Sequence, residues 1–178
     1  MLDVSDLRFT GGTAGSITEE VKAQAAAGYT TGLLHLNGPL IARATPVNPL
    51  LRRCVDAGLA RFVMPHERVR AKVVVVRHPA VLQHAEAELA GVETDELVVV
   101  ANAAPRDIDG YEHYRPSAVR EAALRHFGAE PLWAPIGPLV RDALVGELRG
   151  QRVMSEDWVN IIDVDAWSVD RAGWVADR

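Results

Sequence analysis

Four consecutive valines, Val73 to Val76, lie between Lys72 and Arg77 and constrain this chain more than any other stretch. A strand that is apolar on both faces is stable only when both faces are covered, which is the environment of a central strand in a parallel sheet. Leu97 to Ala101 repeats the pattern, so at least two interior strands are expected. Strand-like and helix-like segments alternate at least four times around them, with Gly or Pro at nearly every junction. That alternation is the mark of a doubly wound sheet. The expected fold is a three-layer α/β domain, its sheet mostly parallel and its helices on both faces.

In chain order, Met1 to Arg8 reads as a first strand, followed by the glycine-rich turn Phe9 to Ser16. Ser16 is placed as the N-cap of the next helix because Glu19 stands three residues on, as in a capping box. Ile17, Val21 and Ala25 continue that helix to Gly28, and Tyr29 to Leu36 is the second strand. Asn48 with Pro49 opens a helix through Leu51, Val55 and Leu59. Ala60 to Met64 is a third strand, and only Pro65 to Ala71 separates it from the valines. A parallel crossover needs a dozen or more residues, so one of these two pieces is expected at an edge or antiparallel. Further helices are read over Val81 to Ala90, Pro116 to Phe127 and Leu139 to Leu148, with a short strand over Pro131 to Ala134. Residues 1–150 form the domain. Residues 151–178 lose the periodicity, hold Trp158, Trp167 and Trp174, and read as an interdomain connection or a tail packed on the domain.

The totals exclude several classes. With 178 residues, 48% apolar and 24% charged, the chain is an ordinary single globular domain. A net charge of -5 with dispersed basic residues gives no nucleic-acid footprint. No apolar run reaches the ~18 residues of a membrane span, and no basic-then-apolar leader opens the chain, so no integral membrane segment and a cytoplasmic location are expected. Cys54 is the only cysteine, and its apolar helical setting reads as a buried, inert thiol.

In an open parallel sheet, ligands bind outside the carboxyl ends of the strands. That rule selects Thr10 to Ser16, Asn37-Gly38, Arg77-His78 and Asn102 to Arg106. Gly11, Gly12, Thr13 and Ser16 form a lip whose backbone N–H groups suit a phosphate, although the spacing fits neither G-x-G-x-x-G nor a P-loop. The plainer reading is a tight strand-to-helix turn. His78 is a candidate base or ligand contact, its backbone held extended by Pro79; the plainer reading is a solvated loop histidine. Arg77 is a candidate anion clamp or a surface residue. His113, beside Tyr111 and Tyr114 in the long loop after Asn102, is a candidate lining residue. His35 reads as a satisfied near-core residue, and His66, His84 and His126 as surface positions. Asp163 and Asp165 could share a strand face, but a metal would need more ligands than the local chain supplies, and none is expected. There is no G-x-S-x-G elbow and no H-E-x-x-H helix.

Several of these segments together resemble the N-terminal half of GT-B retaining glycosyltransferases. They are the Gly11-Gly12-Thr13 lip, the valine strand ending in Arg77-His78-Pro79, the stretch Ala134 to Leu144, and Asn160 to Trp167. The last is similar to the Asn-Gly-Val-Asp plus aromatic segment that connects the two Rossmann-like domains of that family. The resemblance implies a first Rossmann-like domain that binds the acceptor and turns its glycine lip toward the phosphates of a nucleotide-sugar donor held mostly by a C-terminal domain. The donor is then a substrate, no cofactor or metal is called for, and this half alone transfers no sugar. It also implies a wall residue at Asn102, where the family usually has a histidine; asparagine can hydrogen-bond a sugar hydroxyl but cannot act as a base. Two other readings stand beside it. One is a stand-alone binding or regulatory module of flavodoxin-like type, whose tail would fold back on its own sheet. The other is a small α/β hydrolase or nucleotide-binding enzyme, disfavoured by the lack of a nucleophile with its base.

Overall fold

The computed structural model describes residues 1–39, 41, 43–85, 89 and 91–163. The order of elements is β1 (Leu2–Ser5), α1 (Gly12–Ala26), β2 (Gly32–His35), α2 (Pro49–Asp56), β3 (Arg61–Val63), β4 (Val69–Arg77), α3 (Pro79–Gln83), β5 (Val92–Ala101), α4 (Pro116–Phe127), β6 (Pro131–Pro135) and α5 (Pro138–Val145). The six strands are all parallel and lie in the order β3-β2-β1-β4-β5-β6. This is the dinucleotide-binding order, not the 2-1-3-4-5 order of flavodoxin-like sheets. The architecture is a Rossmann-like three-layer α/β fold, with α1 and α2 on one face and α3 and α4 on the other.

The two apolar runs occupy the interior as their composition requires. Val74 and Val76 of β4, with Leu97 and Val99 of β5, face α3 and α4, where they meet Val81, Val119 and Phe127. Val75, Val98 and Val100 face the opposite way. There α1 and α2 cover only the β1 to β3 half, through Ile17, Val21, Leu51 and Cys54. Met154 and Trp158, from the segment after α5, pack over the β4 to β6 half in place of a helix. That segment runs beside β6, with Met154 N donating to Trp133 O at 2.8 Å and Trp158 N to Pro135 O at 2.7 Å. It then crosses to α1, where Ile161 N donates to Ser16 Oγ at 3.2 Å. Trp167, Trp174 and Asp165 lie outside the described residues.

Several local expectations change. Helix α1 begins at Gly12 with Gly11 as N-cap, a full turn before Ser16. The Ser16 hydroxyl cannot cap, because it donates to Glu20 Oε1 at 3.0 Å and accepts from Ile161. Burial of Ala14 and Ile17 draws the extra turn into the helix. The β3 to β4 link, Met64 to Arg68, contains no helix, and β3 is parallel but lies at the sheet edge. Helix α3 ends at Gln83 rather than near Ala90. The return to β5 must retrace the nine residues of β4, about 30 Å at strand rise, whereas a ten-residue helix advances only about 15 Å. Gly32 is closely packed, since a Cβ there would stand 2.8 Å from Val63 Cγ2 and 2.9 Å from Leu2 Cδ1 and would make those side chains shift. Among the described residues no helix is long and apolar enough to cross a membrane.

Candidate functional site at the switch point

In the order 3-2-1-4-5-6 the chain turns one way from β1 and the other way from β4, which opens a crevice between their carboxyl ends. On the β1 side the loop from Asp6 to Gly11 is held in place by polar contacts. Asp6 Oδ1 accepts from Arg8 N and Nε at 3.1 and 2.8 Å, and Oδ2 accepts from Gly38 N at 2.8 Å. Burial opposes ionisation of Asp6, but the bonds from Arg8 and Gly38 outweigh it and hold its pKa below the usual carboxylate value. Asn48 caps α2 through Leu50 N and donates from Nδ2 to Phe9 O at 2.7 Å, so one side chain fixes both a helix start and this loop.

On the β4 side stands His78. Its φ of 77° and ψ of 103° are rare for a residue with a Cβ. Pro79 was expected to hold His78 extended, and its ψ does avoid the helical region that a following proline forbids. Its φ is inverted nonetheless. The residue must donate N–H to Val100 O at 3.3 Å, present its carbonyl to Val81 N at 3.0 Å to start α3, and lay its ring against Phe9, with centroids 5.8 Å apart. Strain of about 1–3 kcal/mol persists at such a position only where the surroundings impose it. The ring is half-buried and Nδ1 has no hydrogen-bond partner. Burial, and to a lesser extent the charge of His113, lower its pKa and favour the neutral imidazole.

Asn102 follows β5, the neighbour of β4, and its Oδ1 is likewise buried without a partner. The long loop beyond it is anchored by Tyr114, which is buried, stacks on Trp133 at 6.1 Å and donates its hydroxyl to Ala103 O at 2.8 Å. Tyr114 thus fixes the loop that carries His113. Sheet pairing thus brings Phe9, His78, Asn102 and His113 to one end of the domain.

The glycine lip reaches the same crevice through Phe9. A Cβ at Gly11, Gly12 or Gly15 would meet nothing within 4 Å, and none of the three has a positive φ. Neither packing nor positive φ therefore demands glycine there, and all three positions leave room for close approach of another molecule. Thr13, in the first turn of α1, is half-exposed beside them. On its outer side the lip also borders a groove of about 810 Å³ shared with α2, Ile162 and Asp163. Ser16 does not belong to the lip; it is buried on the face of α1 that meets the segment after α5.

Arg77 is neither a surface residue nor a free anion clamp. Its side chain is fully buried, ion-paired with Glu20 and 3.9 Å from Asp3 Oδ1, with the Trp158 ring centroid 5.1 Å from its guanidinium carbon. Trp158 Nε1 also donates to Glu20 Oε1 at 3.3 Å. Burial pushes the Asp3 carboxyl up to about 7, against the pull of Arg77. Sequence reasoning missed this cluster. Its signal was Asp3 between Leu2 and Val4 in an interior strand, where a carboxylate needs a partner. His126 is half-buried rather than at the surface. Cys54 is buried, and burial raises its thiol pKa. Asp163 is exposed, and no group of three metal-binding side chains occurs among the described residues. Comparison of the chain with protein families, with curated proteins and with solved structures yields no match in any of the three.

Proposed function

We propose that this domain is the acceptor-side half of a nucleotide-sugar-dependent glycosyltransferase of GT-B type, acting with a C-terminal domain that holds most of the donor. The observation that carries the reading is His78: strained, half-buried, with Nδ1 unpartnered, at the switch point and against Phe9 of the glycine loop. In this reading the N–H groups of Gly11, Gly12 and Thr13 meet the donor phosphates. His78 and Asn102 form the crevice wall beside the sugar. Transfer breaks the bond from the anomeric carbon to the diphosphate oxygen and forms one to the acceptor oxygen. The acceptor hydroxyl proton passes to the leaving diphosphate oxygen, on which the negative charge develops and where the lip can stabilise it. A neutral His78 suits hydrogen-bond acceptance; Asn102 positions and takes no proton. The phosphate charge is met by N–H groups, so the reading calls for no metal.

The test is a titration of the domain with UDP-, GDP- and ADP-sugars, followed by amide and imidazole NMR shifts. Shifts confined to Gly11–Thr13, His78 and Asn102, with no sugar transfer by the domain alone, are expected. Robust turnover by the isolated chain, or shifts elsewhere in the domain, would refute the proposal. A stand-alone binding module is the second reading, favoured by the packing of Trp158 back onto the sheet. It requires tight binding of a complete ligand by the domain alone.

A further inference from the structure

A second cavity lies at the carboxyl ends of β1, β2 and β3, beyond the switch point, with a volume of about 740 Å³. That is within the size range of small-molecule sites. We infer that it binds an amphiphile with an acidic head group, the apolar body lying on the strand ends and a phosphate or carboxylate meeting Arg52. In the glycosyltransferase reading this ligand is the acceptor; the binding itself does not depend on that reading.

The floor is apolar. Leu7, Leu33 and Leu36 are buried, Phe62 closes one side, and Met64 at the rim is 52% exposed, an uncovered thioether beside an open cavity. Several polar groups on the wall are already committed. His35 Nδ1 accepts from Leu7 N at 3.1 Å, its Nε2 lies 3.2 Å from Asn37 Oδ1, and Gly38 N donates to Asp6. A polyhydroxylated body would find few free partners here, and an apolar one loses nothing. Gly38 also fixes the shape of the wall, since a Cβ there would lie 3.1 Å from Asp6 Oδ2.

The charges favour an anion. No Asp or Glu lines the cavity among the described residues. Asp6, behind Gly38, is neutralised by Arg8. Arg52, projecting from α2, is the one lining residue with a permanent charge, and its side chain makes no ion pair or hydrogen bond among the described residues. A planar guanidinium beside an apolar cavity matches a carboxylate or phosphate through paired, charge-assisted bonds. The groove on the other side of α2 carries both signs, with Lys22 and Arg53 facing Glu19 and Asp163, and so lacks this selectivity.

The probes are octyl phosphate, octanoate, octanol and octyltrimethylammonium, below their micelle concentrations, with inorganic phosphate as the head group alone. Each is titrated into the 178-residue chain while the amides of Gly38, Phe62 and Met64 are followed by NMR. Both anionic amphiphiles are expected to bind roughly tenfold more tightly than octanol, and Arg52→Gln to abolish that advantage while leaving octanol unchanged. Whichever anion binds better assigns the head group. Met64→Glu, at an exposed position, should weaken the anions and strengthen the cation. Equal affinity for all head groups, binding of inorganic phosphate as tight as octyl phosphate, an Arg52→Gln variant that binds like the parent, or shifts elsewhere in the domain would each overturn the inference. No nucleotide sugar enters this titration, so its failure and the failure of the transfer reading are separate results.

Discussion

The backbone of His78 allows a test by sign rather than by size. His78→Gly and His78→Ala both remove the imidazole and its contact with Phe9, and they differ only by one methyl group. At an ordinary position glycine is the less stable of the two by about 0.5–1 kcal/mol, because it has more freedom to lose on folding. At φ 77° and ψ 103°, any residue with a Cβ carries strain of about 1–3 kcal/mol, which glycine releases. The difference leaves the glycine variant ahead by about 1 kcal/mol, the reverse of the usual order. For a chain of this size about 1 kcal/mol corresponds to a shift in Tm of about 2–4 °C. Urea unfolding followed by far-UV circular dichroism measures it, provided the two variants share one m-value. An alanine variant as stable as the glycine variant, or more so, would show that position 78 is not strained. The chief reason for centring the ligand site there would then be gone.

Three further outcomes follow from the same structure. Glu20→Ala leaves Arg77 buried without its partner and should cost about 3–5 kcal/mol in urea unfolding, with Glu20→Ala/Arg77→Met recovering much of it; a loss below about 1 kcal/mol would mean that the pair is not buried as described. Asp3 holds its proton up to about pH 7 in the folded state, against 3.8 for the free group. Its contribution to stability is therefore complete below about pH 4 and is lost as the pH rises through 7. Asp3→Asn should flatten that part of a plot of urea midpoint against pH, and an unchanged slope would place the titration elsewhere. A Cβ at position 12 would meet no atom within 4 Å, and Gly12 is exposed, so Gly12→Trp should leave the unfolding midpoint close to that of the parent while removing the nucleotide-sugar shifts at the lip; unchanged shifts would remove the lip from the proposal.

Much of the fold was legible in the chain because its causes are local. Consecutive valines need cover on both faces, so Val73–Val76 had to be an interior strand whatever lay around it. Asn48-Pro49 starts a helix through one side-chain bond, and Gly128 ends another at φ 62°. These signals act over a single turn. The strand ends named as candidates also lie at one edge of the sheet, since parallel strands of a doubly wound sheet bring their carboxyl ends to one side.

Only the tertiary structure decided the rest. The lip residue Ser16 and the candidate clamp Arg77 both turned inward, because each answers to a partner far along the chain: Ile161 for Ser16, and Glu20, 57 residues away, for Arg77. Trp158 reaches Glu20 across 138 residues. The inverted φ of His78 arises because Val100, Phe9 and the start of α3 must all be satisfied at one residue. The apolar cavity of β1 to β3 exists only where three strand ends and α2 meet. Periodicity and capping report what each segment requires; strand order and register determine which segments meet, and at this site those long-range pairings set both the geometry and the charge.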